Sequence, residues 1–185
     1  MKFIQTAIPE VVIIEPKVFG DSRGYFFESY NQQWFEAAIG KIDWLQDNES
    51  KSVHGVLRGL HFQRQPYAQT KLVRCILGKV LDVAVDIRRN SPTFGHHVAI
   101  ELSADNKRQL FIPKGFAHGF SVLSKQAEVL YKCDEFYNKG SEGGINFNDP
   151  ALSIDWFVPV EEAVVSEKDM ELPVMSECLN TFTFS

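Results

Sequence analysis

Residues 55–63 read GVLRGLHFQ, an apolar run that holds an arginine and a histidine, Arg58 and His61. A histidine whose pKa stands near ~6.5 can take up or release a proton close to neutrality. A guanidinium suits oxyanions, which it meets with paired hydrogen bonds. For a lone histidine the ordinary alternative is a core residue satisfied by one hydrogen bond. Arg58 weighs against that alternative, because arginine is rarely buried without a partner anion. The two residues therefore point to a cavity that takes a negatively charged ligand. Positions 58 and 61 fall on opposite faces of a regular strand. Gly59 lies between them, and a glycine inside a strand often marks a bulge. The expectation is a bulge near Gly59 that turns both side chains toward one cavity.

The elements that must position these residues are mostly strands. VVIIE at 11–15 is β-branched. KLVRCIL at 71–77 and VLDVAVDIR at 80–88 flank Gly78-Lys79, which predicts a hairpin. In its second arm Val83, Val85 and Ile87 share one face, and Asp82, Ala84, Asp86 and Arg88 the other. HHVAIEL, RQLFIP, HGFSVLS and EVLYKCDEFY continue the series, with SPTFG, SADNK, PKG and NKGSEGG as turns between them. One helix is predicted from a cap at Asn31 to a stop at Gly40, with Trp34, Phe35, Ala38 and Ile39 as its apolar stripe. A short helical turn is expected after Ser166. Without a linker or repeat, residues 1–185 are expected to form a single all-β domain, an antiparallel jelly-roll barrel with a few short helices.

The chain is 44% apolar and 23% charged, as soluble globular proteins are. Its net charge of −5 argues against a general nucleic-acid binder, which presents a basic face. No stretch approaches the roughly 20 apolar residues of a membrane span. The N-terminus is broken by Pro9, Glu10 and Glu15, unlike the core of a signal peptide. Cys75, Cys133 and Cys178 are odd in number and lack C-x-x-C spacing, so they read as reduced thiols of a cytoplasmic protein.

PKGFAH at 113–118 resembles the second sequence motif of the cupin superfamily, a jelly-roll barrel with its site inside. Metal-binding cupins carry H-x-H in the first motif, where this chain has His61-Phe62-Gln63. His61 with His118 falls short of the three or four donors a divalent metal wants, so no metal is expected. Within the superfamily the chain is similar to the dTDP-4-dehydrorhamnose 3,5-epimerase family. The matching blocks are FGDSRGYFFESYN at 19–31, QDNESKS at 46–52, GVLRGLHFQ at 55–63 and QTKLVRCILGKVLDVAVDIRRNSPTFG at 69–95. IPKGFAHGF at 112–120, YKCDEFY at 131–137 and SEKD at 166–169 complete the set in order.

The resemblance implies a cofactor-free epimerase acting on a dTDP-sugar, dTDP-4-dehydro-6-deoxy-D-glucose, as a homodimer. Its ketone acidifies the flanking C–H bonds, and inversion needs a base, an enolate electrophile and an acid. By resemblance His61 is the base, Asp169 orients it, Lys71 holds the enolate oxygen and Tyr131 is the acid. Ser166-x-x-Asp169 also reads as a variant capping box. Lys71 alternatively reads as an edge-strand lysine, and Tyr131 as an ordinary strand aromatic. The resemblance further assigns Arg23, Arg58 and His118 to the pyrophosphate and sugar, and Glu28, Gln46 and Asn48 to thymidine. Tyr137 would stack, and Glu142 and Lys168 would bind at the periphery. A related enzyme inverting only C3 or only C5 is the alternative function.

Overall fold

The structure is a computed structural model that describes residues 1–184. Two antiparallel sheets face each other. One has the order β1 (Lys2–Gln5), β2 (Val12–Glu15), β10 (Gln109–Ile112), β7 (Lys71–Leu77), β12 (Gln126–Cys133), β5 (Gln46–Val53). The other runs β13 (Glu142–Gly144), β6 (Leu57–Gln63), β11 (Phe116–Val122), β8 (Lys79–Asp86), β9 (His97–Ser103). A separate hairpin joins β3 (Phe19–Asp21) to β4 (Gly24–Phe26). Helix α1 spans Gln32–Ala38 and the short α2 spans Glu167–Met170. This is the expected jelly-roll architecture.

Period-2 alternation places the inner residues. Val73 and Cys75 of β7, Val80 and Ala84 of β8, Phe116 and Phe120 of β11, and Val129 of β12 form one buried cluster between the sheets. Lys71, Asp82, His118 and Tyr131 continue the same alternating rows, so the polar end of the barrel interior grows directly out of its apolar floor. The outer face of the five-stranded sheet is also covered. Leu81, Val83 and Val85 pack with Leu152, Trp156 and Phe182 from the C-terminal segment. Burial on both faces explains why β8 is apolar nearly throughout. Arg88 fastens both ends of the chain to this frame. It pairs with Asp86 and Glu10 and lies over the Phe116 and Phe184 rings.

Three expectations need correction. The hairpin expected at Gly78-Lys79 does not form. β7 pairs with β10 and β12, whereas β8 pairs with β11 and β9 in the other sheet. A single residue, Gly78 at φ 73°, links the two strands. That is shorter than a two-residue hairpin loop, so it makes a corner between sheets. In the helix, Asn31 caps as expected by accepting from the Trp34 N–H, and Phe35 is buried. Trp34, however, is 58% exposed, because only one side of this short helix meets the sheet. Finally, NKGSEGG is more than a turn: its end forms β13, which pairs with β6 through His61, Phe62 and Gln63.

A side chain at position 78 would collide with the Gln126 carbonyl and the Ser124 hydroxyl. Gly78→Ala is expected to lower the free energy of unfolding by roughly 1–3 kcal/mol. Urea denaturation reads this, and a wild-type midpoint would refute the corner role.

Candidate active site

The β6 strand does bulge at Gly59. His61 pairs with His118 on β11 and Arg58 with Phe120, so Gly59 and Leu60 together oppose Gly119 alone. Gly59 sits at φ 127°, and a Cβ there would come within 2.6 Å of Gly119 Cα. The extra residue changes the alternation, and Arg58 and His61 line one cavity of about 290 Å³ inside the barrel. Arg58 stays exposed at the cavity mouth, with its Nε donating to Ser52 Oγ at 3.1 Å.

His61 Nε2 lies 2.7 Å from Asp169 Oδ1. The other carboxylate oxygen, Oδ2, accepts from the Gly59 N–H at 3.2 Å, and the Asp169 N–H donates to Ser166 Oγ at 3.1 Å. Burial opposes ionisation of Asp169, but the His61, Gly59 and Ser166 hydrogen bonds outweigh it and hold the carboxyl below its usual value. The His61 side chain keeps one third of its surface, 33%, while that of Asp169 keeps 6%. Because Nε2 faces Asp169, Nδ1 is the nitrogen available to a ligand.

The opposite wall belongs to the other sheet. Lys71 of β7 and Tyr131 of β12 line the same cavity. Burial pulls the Lys71 ammonium below the ordinary lysine value. Burial likewise pushes the Tyr131 phenol up, so it remains a proton donor at neutrality. The cavity thus has an imidazole on one wall and a phenol and an ammonium on the other. His118, beside His61, is buried and its Nε2 lies 2.9 Å from Asp82 Oδ2.

A second cavity of about 170 Å³ adjoins the first, sharing His61, Lys71 and Tyr131. Gln46, Asn48, Tyr137 and Glu142 line it. Gln46 Nε2 donates to Asn48 Oδ1 at 2.8 Å, and Tyr137 OH donates to Glu142 Oε2 at 3.0 Å. Lys168 lines the first cavity and reaches Glu142 Oε1 at 2.5 Å. Burial opposes ionisation of Glu142, but the Lys168 and Tyr137 hydrogen bonds hold its carboxyl low.

Eleven of the thirteen expected residues therefore converge on two joined cavities, as the lining of each shows. Arg23 and Glu28 do not. Arg23 is in the exposed β3–β4 hairpin, paired with Asp21 at 2.6 Å, and Glu28 accepts from Asn31 Nδ2 at 3.2 Å. Sequence reasoning missed Ser50 and Asp82. Ser50 lines the cavity with its hydroxyl unpartnered among the described residues. The signal for Asp82 was a lone carboxylate in the apolar run VLDVAV. Among the described residues no group of three or more His, Cys, Asp or Glu side chains could hold a metal ion.

Asp169→Asn keeps the size of the side chain but removes the charge that orients His61. The expected loss is about 10²–10⁴-fold in kcat with a much smaller change in KM. The lowered Asp169 carboxyl gives stability that is present above the unfolded carboxylate pKa and lost as pH falls through the folded value. Acid unfolding of the variant should therefore be less steep than that of wild type, and coincident profiles would contradict the pairing.

The model of the dTDP-4-dehydrorhamnose 3,5-epimerase family matches residues 5–177. A dTDP-4-dehydrorhamnose 3,5-epimerase of Shigella flexneri is 59% identical over 171 residues, 92% of this chain and 93% of that one. The Salmonella typhimurium enzyme of the same name is 59% identical over 98% of this chain and 99% of its own. A crystal structure from Legionella pneumophila, in complex with dTDP-4-keto-L-rhamnose, superposes with a TM-score of 0.91 at 49% identity, covering 95% and 93% of the two chains. With eleven of its expected residues on two joined cavities and these relatives spanning nearly its full length, the chain belongs to the dTDP-4-dehydrorhamnose 3,5-epimerase family.

Proposed function

We propose that this enzyme converts dTDP-4-dehydro-6-deoxy-D-glucose to dTDP-4-dehydro-L-rhamnose, inverting both carbons beside the ketone without a cofactor. The observation that carries the reading is the placement of base and acid on opposite walls. His61, backed by Asp169 at 2.7 Å, projects from the five-stranded sheet, and Tyr131 from the six-stranded one. Inversion requires a proton to leave one face of a carbon and another to arrive on the opposite face.

His61 Nδ1 takes the proton from carbon, and the bonding pair moves toward the ketone oxygen. The Lys71 ammonium stabilises the enolate that forms, more strongly in the barrel than in water. Asp169 stabilises the imidazolium, and Tyr131 returns a proton from the far side. Arg58 at the cavity mouth and His118 deeper within it hold the pyrophosphate and sugar. Gln46 and Asn48 supply amide donors and acceptors to the base, and the exposed Tyr137 ring gives it a stacking face. Glu142 and Lys168 close the rim between the two cavities.

The enzyme acts as a cytoplasmic single-domain homodimer in this reading. All three cysteines are free and buried, as befits a reducing compartment. Among the described residues no helix is long and apolar enough to cross a membrane. The hairpin carrying Arg23 forms a separate two-stranded sheet, which suits it to exchange with a second copy. Phe19, Tyr25 and Phe26 on that hairpin are 53%, 62% and 67% exposed, an apolar tip suited to a second copy. Docked there, Arg23 and Glu28 would complete the partner's cavity.

Turnover in deuterated buffer, followed by NMR, should place label at both C3 and C5, and His61→Ala should abolish exchange at both. Label at a single carbon would instead support a one-carbon epimerase. The dimer reading makes a second expectation. Arg23→Ala and His61→Ala subunits, each impaired alone, should regain activity when mixed, because one site then receives an intact cavity and an intact hairpin. Mixtures no more active than their parts would refute the shared site.

A further inference from the structure

Asp82 is a fully buried carboxylate whose neighbours on its face of β8, Val80 and Ala84, belong to the apolar floor of the barrel. A carboxylate is costly in such surroundings unless it is well partnered. One oxygen, Oδ2, meets His118 Nε2 at 2.9 Å, but Oδ1 has no hydrogen-bond partner among the described residues. Holding a ring needs only a neutral acceptor, which asparagine would supply at lower cost. A carboxyl group at this position therefore calls for a further explanation.

Lys71 supplies one. It lines the same cavity as His118 and makes no ion pair among the described residues. Burial destabilises its ammonium, and the opposing influences come from Cys133 and Asp82. The groups facing it can be taken strand by strand. On β12, burial pushes the Cys133 thiol up to about 11 and raises the Tyr131 phenol, so both are neutral at working pH. From β6 and β11 come Arg58, His61 and His118, which bring no negative charge. In α2, Asp169 is committed to His61, while Lys168 is tied to Glu142 of β13. Asp82 is the remaining acidic side chain here with an unpartnered oxygen among the described residues.

We propose that Asp82 is a positioning residue that does two things: it fixes the ring of His118 and supplies the counter-charge that keeps Lys71 an ammonium ion. The inference rests on the reading of Lys71 as the enolate-holding group and adds how that group stays charged. Asp82 touches no reacting atom. It acts through His118 at 2.9 Å and through the field it exerts on Lys71.

The test compares wild type with Asp82→Asn, whose amide oxygen can still accept from His118 while the charge is gone. Isotope-labelled lysine is titrated by NMR, with Lys71 assigned through Lys71→Arg, beside the kcat–pH profile. Removing a nearby negative charge must make the ammonium easier to deprotonate. The Lys71 midpoint and the alkaline limb of kcat should therefore move together toward acid by about one pH unit or more. His118→Asn, which keeps Asp82, should leave the Lys71 midpoint near that of wild type. An unshifted midpoint in Asp82→Asn, or an equal shift in His118→Asn, overturns the inference. If Asp82→Asn does not fold, wild type alone decides: an ammonium persisting through neutrality upholds the inference, and one lost below neutrality overturns it. Lys71→Met separates the two levels. Wild-type kcat in that variant would defeat the enolate reading itself, whereas an inactive Lys71→Met beside an unshifted Asp82→Asn would defeat only the role of Asp82.

Discussion

A side chain at position 59 would bring its Cβ within 2.6 Å of Gly119 Cα and 2.9 Å of the His118 carbonyl oxygen. Two backbones approach at this crossing as closely as two glycines allow. The approach lets Gly59 and Leu60 oppose a single residue of β11, and the resulting bulge changes the alternation of β6. Without that change, Arg58 and His61 would point to opposite sides of the sheet. The bulge also turns the Gly59 N–H out of the ladder, where it donates to Asp169. The placement of His61, its bond to the Asp169 carboxylate and the position of Arg58 at the cavity mouth therefore all depend on one backbone contact.

The barrel interior places charges where water is scarce, and each is stabilised by a neighbour. The Asp169 carboxylate is bonded by the Gly59 N–H and the His61 ring, which hold its value low despite burial. Lys71 is less well provided and is pulled below its ordinary value. That imbalance suits chemistry. An ammonium that has lost its water and gained no tight partner interacts strongly with charge developing on a substrate oxygen. A tight ion pair would have satisfied it before the substrate arrived. The two sheets keep these tendencies apart, because Tyr131 and Lys71 belong to one wall and His61 to the other.

How far the sequence made this legible depended on whether a signal was local. Gly59 announced a bulge because glycine in a strand has few other reasons to be there. Asn31 announced a cap because its side chain completes it within three residues. Strand β5 was harder to see. Its inward residues Gln46, Asn48, Ser50 and Ser52 alternate correctly, yet all are polar because they face the cavity and not the core. Periodicity without hydrophobicity does not read as a strand. At Gly78 the same local pattern describes a hairpin and a corner, and only the pairing of both strands with others separates them. Asp82 lay in plain view, but nothing nearby in the sequence names its partner His118, which is 36 positions downstream on the neighbouring strand. Arg23 and Glu28 lie outside both cavities, paired with Asp21 and Asn31, and the spacing of their block carries no signal of that placement.

Asp169 shows how one residue satisfies two readings that the sequence presents as alternatives. Ser166 caps α2 by accepting from the Asp169 N–H, as the spacing of a capping box implies. In a full capping box the fourth residue would turn back to the first N–H. Here the shorter aspartate turns away, and its two oxygens bond Gly59 and His61. The cap fixes the backbone from which the carboxylate projects, and the bulge fixes the two donors that receive it. Each feature stabilises its own segment and aims one half of the His61–Asp169 pair. A helix of one turn is marginal by itself. It holds in this fold because its acidic residue is hydrogen-bonded to a strand of the barrel, so local structure and the candidate catalytic geometry are maintained by the same bonds.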